Sequence, residues 1–122
     1  MSGVASAKAA KPIQCKGITG SVTGTITLTQ CTGGNTGGSS TALGTALQNG
    51  GTITWASGST TTVSVPTLKV IHSPSCSGSE SAVTATVTND TGDGIKVPGK
   101  FTGTICLQLS GTLNMVKTIK IT

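Results

Sequence analysis

Residues 15–31, CKGITGSVTGTITLTQC, carry the clearest structural signal in this chain. Between positions 18 and 28 the even positions hold apolar residues or glycine, whereas the odd positions from 19 to 29 hold threonine or serine. An alternation with a period of two predicts β-structure with one buried face and one face in water. Cys15 and Cys31 share the odd parity, so we expect a disulfide formed by them on the polar side of the sheet.

The spacing of these two cysteines limits how the stretch can fold. A straight strand would separate them by roughly 50 Å at about 3.3 Å per residue, and a disulfide spans at most about 7 Å between Cα atoms. One solution folds the stretch back near residues 22–24, which sets Ile18 opposite Leu28 and Cys15 opposite Cys31. The other is a long strand with Cys15 paired elsewhere. We favour the hairpin, with sequential pairing of all cysteines, because it preserves the buried parity on both arms.

The length and composition indicate one small domain. The chain has 122 residues, of which only 9% are charged, and threonine, serine and glycine supply most of its polarity. This composition excludes a charge-rich disordered chain and a long helical bundle. With Trp55 and Phe101 as the only aromatic residues, the core is expected to be aliphatic and thin. We predict a flexible segment over residues 1–13 and a single β domain over residues 14–122.

The middle of the chain predicts a meander of short strands. Residues 31–40 are too rich in glycine to form an element. We predict that residues 41–48 are a strand and that Asn49-Gly50 is a hairpin turn leading into the next strand. A second turn at Ser57-Gly58 leads into a strand whose inward side is expected to carry the set Thr61, Val63 and Val65.

Beyond this meander, Pro66 interrupts the pattern and the apolar parity changes to Leu68 and Val70. Such a shift predicts a bulge or a crossing between sheets. Later strands are predicted over residues 82–89 and 100–110, with Cys106 on the polar side, and at the C-terminus. Together the patterns predict an all-β fold, an antiparallel β-sandwich of immunoglobulin-like or related type or a flattened barrel, with seven to nine strands and two disulfides.

The segment 22–28, VTGTITL, matches segment 101–107, FTGTICL, at five of seven positions. We interpret this echo mainly as shared composition. The alternative is that both segments need glycine for a structural reason: Gly24 and Gly103 would lie on inward faces, where a bulky group such as Trp55 needs space.

Four cysteines indicate a domain supported by disulfides: Cys15, Cys31, Cys76 and Cys106. No C-x-x-C pair is present and the only histidine is His72, so the spacing does not support a zinc site. Disulfides in a small domain are typical of proteins outside the cytosol, and residues 5–7, Ala-Ser-Ala, look like the flank of an export signal, although an ordinary flexible tail fits them equally well. We expect a secreted, extracellular or cell-wall-associated protein without a transmembrane segment.

A resemblance supports the same location. Residues 15–39, CKGITGSVTGTITLTQCTGGNTGGS, together with residues 50–65, GGTITWASGSTTTVSV, resemble small exported proteins of actinobacterial type that carry no assigned activity. The resemblance covers residues 15–65. It implies an envelope or extracellular location and identifies no catalytic residue.

Catalysis is not supported by the ionisable residues. The acids are Glu80, Asp90 and Asp93, and the chain has no tyrosine and no arginine. His72 has no nucleophile turn to accompany it, and Asp90 and Asp93 are expected in a turn for conformational reasons. Asn89, Thr91, Asp93 and Gly94 match positions of a calcium loop, but Lys100 stands where that loop needs a bidentate glutamate. We therefore predict no enzyme, no cofactor and no metal.

The net charge of +5 comes from eight lysines. Nucleic-acid binding usually adds arginines and exposed aromatic residues, so we do not expect it. A group near the C-terminal strands is expected to contact anionic cell-wall polymers or lipid headgroups through salt-sensitive attraction: Lys96, Lys100, Lys117 and Lys120.

These observations predict a non-catalytic structural or interaction module that contacts an envelope polymer or another protein. The alternative is a carrier that holds a lipid or another small apolar ligand between its sheets. A third hypothesis is ice or carbohydrate binding through rows of strand threonines: Thr23, Thr25, Thr27 and Thr29, or Thr84, Thr86 and Thr88. An internal apolar cavity would favour the carrier, whereas a filled core with an exposed apolar patch would favour the interaction module.

Overall fold

A computed structural model describes residues 12–34, 36–71, 76–92 and 95–122. Within these residues the chain forms nine β-strands and one short helix. Their bounds are Ile13–Gly20 (β1), Thr25–Thr32 (β2), Ser40–Leu43 (β3), Ala46–Asn49 (α1), Gly51–Trp55 (β4), Thr60–Val63 (β5), Thr67–Ile71 (β6), Ser79–Asp90 (β7), Gly99–Leu107 (β8) and Leu113–Ile121 (β9). The predicted all-β class and the number of strands are confirmed for the described part of the chain.

The strands form one sheet that closes into a barrel. They pair antiparallel in the order β5-β4-β3-β2-β1-β9-β8-β7, and β7 pairs back with β5 to complete a ring of eight. The ninth strand, β6, pairs with β7 outside this ring. The predicted sandwich of two packed sheets is not confirmed, because a single closed sheet encloses the core.

The hairpin predicted for residues 15–31 is confirmed. Ile18 lies opposite Leu28 and Cys15 opposite Cys31 in the β1–β2 ladder. The chain reverses over residues 21–24, where the amide of Gly24 donates to the carbonyl of Ser21 over 3.1 Å. The predicted sequential pairing is also confirmed, because Cys15 is bonded to Cys31 and Cys76 to Cys106.

The Cys15–Cys31 disulfide lies in the core, so its predicted place on the polar side is wrong. Cys15 is fully buried, and both cysteines belong to the apolar core cluster. Both arms of the hairpin change face. In β1 the buried residues Cys15 and Ile18 are three positions apart, and in β2 the buried residues Leu28 and Cys31 are also three positions apart, whereas regular alternation needs an even spacing. Gln30, which has a φ of 53°, lies at this change and breaks the extended alternation.

The Cys76–Cys106 disulfide lies outside the apolar core cluster. Cys106 pairs with Glu80 across the β7–β8 ladder, and its neighbour Ile105 belongs to the core. Successive side chains of a strand point to opposite faces, so Cys106 lies on the outer side of β8 as predicted. Both cysteines are nevertheless buried.

The chain between β3 and β4 differs from the prediction. The strand ends at Leu43, and residues 46–49 form α1 instead of continuing as a strand. Gly50, with a φ of 74°, ends the helix, and its amide donates to the carbonyl of Ala46 over 3.0 Å. Asn49-Gly50 therefore ends a helix and is not the predicted hairpin turn, since the positive φ that suits a hairpin also suits a helix terminus.

The hairpin predicted at Ser57-Gly58 is confirmed between β4 and β5. The amide of Trp55 donates to the carbonyl of Ser59 over 2.8 Å, and the amide of Gly58 donates to Trp55 over the same distance.

The first strand begins at Ile13, within the segment predicted to be flexible. This residue is 2% exposed and pairs with Ile121 of β9. The flexibility predicted for residues 1–11 falls outside the described residues.

Two glycines of the repeated VTGTITL-like segments have different surroundings. A Cβ added at Gly103 would lie 2.6 Å from Cγ1 of Ile119, which is buried in the core. A Cβ added at Gly24 would meet nothing within 4 Å. The space predicted for Trp55 is instead used by Ile119, and only Gly103 is sterically required.

We predict that Gly103→Ala lowers the free energy of unfolding by about 1–3 kcal/mol, because the added methyl overpacks the β8–β9 contact. Gly24→Ala is the matched control and should change stability by less than about 0.5 kcal/mol. Urea unfolding with the disulfides intact measures both values. Equal effects of the two substitutions would contradict the packing described for Gly103.

Candidate binding surfaces

The strand β6 lies on the outside of the barrel closure. The twelve-residue strand β7 pairs along one edge with β5 and then with β6, so that Thr61 lies opposite Asp90 and Thr67 opposite Thr84. The strand β4 pairs with β5 as far as Val63, and among the described residues β6 pairs only with β7. One edge of β6 is therefore free of ladder partners within the described chain.

Apolar side chains are exposed along and beside β6. Val65 is 64% exposed, Val70 60% and Leu68 45%, although Val65 was predicted on the inward side and Leu68 and Val70 on the apolar parity of the next segment. Leu68 pairs with Val83, which is only 1% exposed. Val83 is buried because the inner face of β7 lies opposite the barrel wall. Leu68 is exposed because β6 lies outside the closed ring, beyond the end of the β4–β5 pairing. Leu68 and Val70 thus have the expected parity along β6, but their side chains are exposed.

The barrel interior contains one small apolar cavity of about 50 Å³. Its walls combine strand residues with Leu47 of α1 and Pro66. Ser40 also lines it, and its hydroxyl oxygen is buried without a hydrogen-bond partner in the described part of the chain. Ligand pockets typically measure about 300–1,000 Å³, so this cavity is too small for a lipid without expansion of the barrel.

The structure places three of the four predicted lysines on the adjacent strands β8 and β9. Lys117 and Lys120 lie in β9 and line the same depression. Lys100 lies in β8 opposite Thr122, two residues from Lys120, so these two lysines share the outer face. Lys96 is exposed in the connection before β8 and does not line the depression.

The depression is open, measures about 610 Å³ and lies across β7, β8 and β9. Besides the two lysines, its lining is half threonine and half glycine or small apolar residues: Thr84, Thr102, Thr104 and Thr118, with Ala82, Val83, Gly103 and Val116. Lys69 was not among the predicted contact residues, but it falls in register with this surface because it pairs with Ala82. The two acids of the described residues are Glu80, which is buried, and Asp90, which serves a structural role.

That structural role is a chain of hydrogen bonds across the seam where the barrel closes. The Trp55 indole N–H of β4 donates to Thr61 Oγ1 of β5 over 2.8 Å, and the Thr61 hydroxyl donates to Asp90 Oδ1 of β7 over 2.6 Å. The other carboxylate oxygen of Asp90 accepts from the amide of Ile95 over 3.2 Å. Thr61 is fully buried, so these bonds satisfy polar groups that water does not reach.

The other chemical hypotheses receive no assembled site from the described residues. His72, Asp93 and Gly94 lie outside them, so the triad and calcium hypotheses are not tested there. No group of three or more histidine, cysteine, aspartate or glutamate residues in the described ranges is placed to hold a metal ion. The threonine rows of β2 and β7 are separated by β1, β9 and β8 around the ring, so they do not form one continuous array.

Comparison with known proteins does not assign this chain to a family. A scan against protein-family models, a search of curated proteins and a search of solved structures each found no match to this chain. Among the described residues, the helical structure offers no segment with the length and hydropathy needed to cross a membrane.

We predict that Thr61→Val lowers the free energy of unfolding by about 1–3 kcal/mol, because it leaves the Trp55 indole N–H buried without its acceptor. The control is Thr54→Val, which makes the same chemical change at an exposed residue of β4. Chemical denaturation followed by far-ultraviolet circular dichroism gives both values. A loss for Thr61→Val no larger than that for Thr54→Val would contradict the structural role assigned to the network.

Proposed function

We propose that this protein is a non-catalytic interaction module that acts outside the cytosol and binds an extended segment of another protein along β6. The observation that carries the proposal is the edge of β6 that has no ladder partner within the described ranges, together with the exposed apolar side chains at Val65, Leu68 and Val70. An unpaired strand edge presents backbone donors and acceptors that an added strand can satisfy, and alternate side chains supply specificity.

The charge on β6 favours a different protein over a second copy of this chain. If two copies paired antiparallel with full overlap of Thr67–Ile71, Lys69 would lie directly opposite the other Lys69. Like charges in directly opposed positions destabilise a strand pair. A partner strand with alternating apolar residues and a carboxylate opposite Lys69 would have complementary charge.

The two disulfides support a location outside the cytosol. Cytosolic thiols are generally kept reduced, whereas small secreted domains commonly use disulfides to supplement a limited core. Both bridges are formed in the structure. We therefore place the module in the extracellular space or at the cell envelope, in line with the resemblance noted for residues 15–65.

A carrier of small apolar ligands is the second candidate. The cavity inside the barrel favours it, because its surroundings are almost entirely apolar. Its volume of about 50 Å³ is about one third of an engineered cavity known to bind benzene. The exposed apolar side chains at β6 need no rearrangement to meet a partner, whereas the cavity would have to expand to hold a lipid, so protein binding ranks first.

The experiment places a photo-crosslinking amino acid at Val70 and expresses the variant in the natural source of the protein. We expect a covalent adduct with another protein, identified by mass spectrometry, because Val70 is exposed on the strand that the partner would extend. The control position is Leu109, which is 96% exposed and lies outside β6.

A second variant combines the crosslinker at Val70 with Leu68→Lys. This change should abolish the adduct without altering the unfolding free energy by more than about 0.5 kcal/mol, since Leu68 is exposed. Equal adducts at Val70 and Leu109, or no protein adduct at Val70, would refute binding along β6. An adduct with a lipid instead of a protein at Val70 would also refute protein binding along β6.

A further inference from the structure

A second surface of the barrel has a different chemistry. The pairing of β6, β7, β8 and β9 aligns two rows of residues across these strands. One row runs through Lys69, Ala82, Thr104 and Lys117, and the next runs through Thr67, Thr84, Thr102 and Lys120. With neighbouring strands about 4.8 Å apart, the first row spans about 14 Å and carries a lysine at each end.

The backbone of β9 turns Lys117 toward this surface. Lys117 has the same parity as Ile119 and Ile121, which are both buried, so a regular strand would direct all three inward. The β8–β9 ladder instead contains register shifts on both sides of the Thr104–Lys117 pair. As a result Lys117 and Lys120 are both exposed and line the same depression.

We propose that this depression binds a linear polyanion whose repeated phosphate or carboxylate groups contact Lys117 and Lys120. The lysine ammonium groups supply positive charge, and the hydroxyls of Thr84, Thr102 and Thr118 supply hydrogen-bond donors in the same depression. Lysine acts as a point charge without the planar fork of arginine, and the chain contains no arginine. This chemistry suits many similar anionic groups along a chain better than one precisely oriented group.

The lining of the depression favours a polymer over a membrane surface or a nucleic acid. Peripheral membrane binding generally combines positive charge with apolar side chains that enter the bilayer, but the exposed apolar residues Val65, Leu68 and Val70 lie at β6, outside the depression. Single-stranded nucleic acids usually stack on aromatic residues, and Trp55 and Phe101 are both buried. The surface therefore matches an anionic polymer without bases.

The test uses inorganic polyphosphate and poly-glutamate as probes of the two anionic chemistries, with binding measured by isothermal titration calorimetry at 50 and 200 mM salt. We expect both polymers to bind and their affinities to fall at least about tenfold over this range, because the attraction is electrostatic. The polymer that binds with the higher affinity identifies phosphate or carboxylate as the preferred group. The proposal would be overturned if neither polymer bound.

The variant Lys117→Gln/Lys120→Gln should weaken polymer binding at 50 mM salt by about tenfold and reduce its salt dependence. Its matched control is Thr41→Glu/Thr52→Glu, which also lowers the net charge by two but at exposed positions of β3 and β4, across the ring from β8 and β9. The control should retain at least half of the wild-type affinity. Thermal unfolding verifies that all variants fold.

An equal loss of polymer affinity in both variants would show that binding depends on net charge alone, and it would overturn the proposed site. Tighter binding to phosphatidylglycerol vesicles or to single-stranded DNA than to both polymers would also overturn it, in favour of a membrane or a nucleic acid. Protein binding at β6 is measured separately by the adduct at Val70, so either proposal can fail without the other.

Discussion

The barrel depends on the contact at Thr61, where the sheet closes on itself. Thr61 lies between Trp55 of β4 and Asp90 of β7, and its hydroxyl accepts a hydrogen bond from one and donates to the other. Closure thus occurs where the polar groups of three strands satisfy one another, with Trp55 and Thr61 buried and Asp90 half-buried. Because Asp90 is part of this contact and Glu80 is buried, neither of the described acids offsets the charge of the exposed lysines at the surface.

The same closure creates the free edge. The strand β7 has twelve residues, whereas β5, which closes the barrel against it, has four. The remaining length of β7 is paired by β6 after the chain passes Pro66. Since β4 does not extend beyond β5 on this side, β6 is paired along one edge only among the residues that the structure describes. A mismatch in strand length is therefore the structural origin of the proposed protein-binding surface.

Sequence patterns predicted the local features of this fold better than its global arrangement. The hairpin of residues 15–31 and the sequential disulfides followed from parity and from the reach of a disulfide, both of which are local constraints. Alternation is the same in a sandwich and in a barrel, so it did not show that β5 pairs with β7. The exposure of Leu68 and Val70 could not be predicted for the same reason, because their parity is correct and only the opposing wall is missing.

The features of the candidate surfaces show the same limit. Four surface lysines could be identified from the sequence, but Lys69 became relevant only through its pairing with Ala82. Lys117 has the parity of a buried residue, and the irregular β8–β9 register directs it outward. The face change at Gln30, which buries the Cys15–Cys31 bridge, is another backbone irregularity that alternation did not reveal.

Amide hydrogen exchange measured by nuclear magnetic resonance tests most directly whether the barrel closes at β5 and leaves β6 with a free edge. In a strand paired on both edges all amides are bonded, whereas in a strand paired on one edge only alternate amides are bonded to the neighbour. We predict uninterrupted protection over Thr60–Val63 and alternating protection over Thr67–Ile71. Alternating protection over Thr60–Val63 would show that the barrel is open, and uninterrupted protection over Thr67–Ile71 would show that the edge is covered; either result would contradict this account.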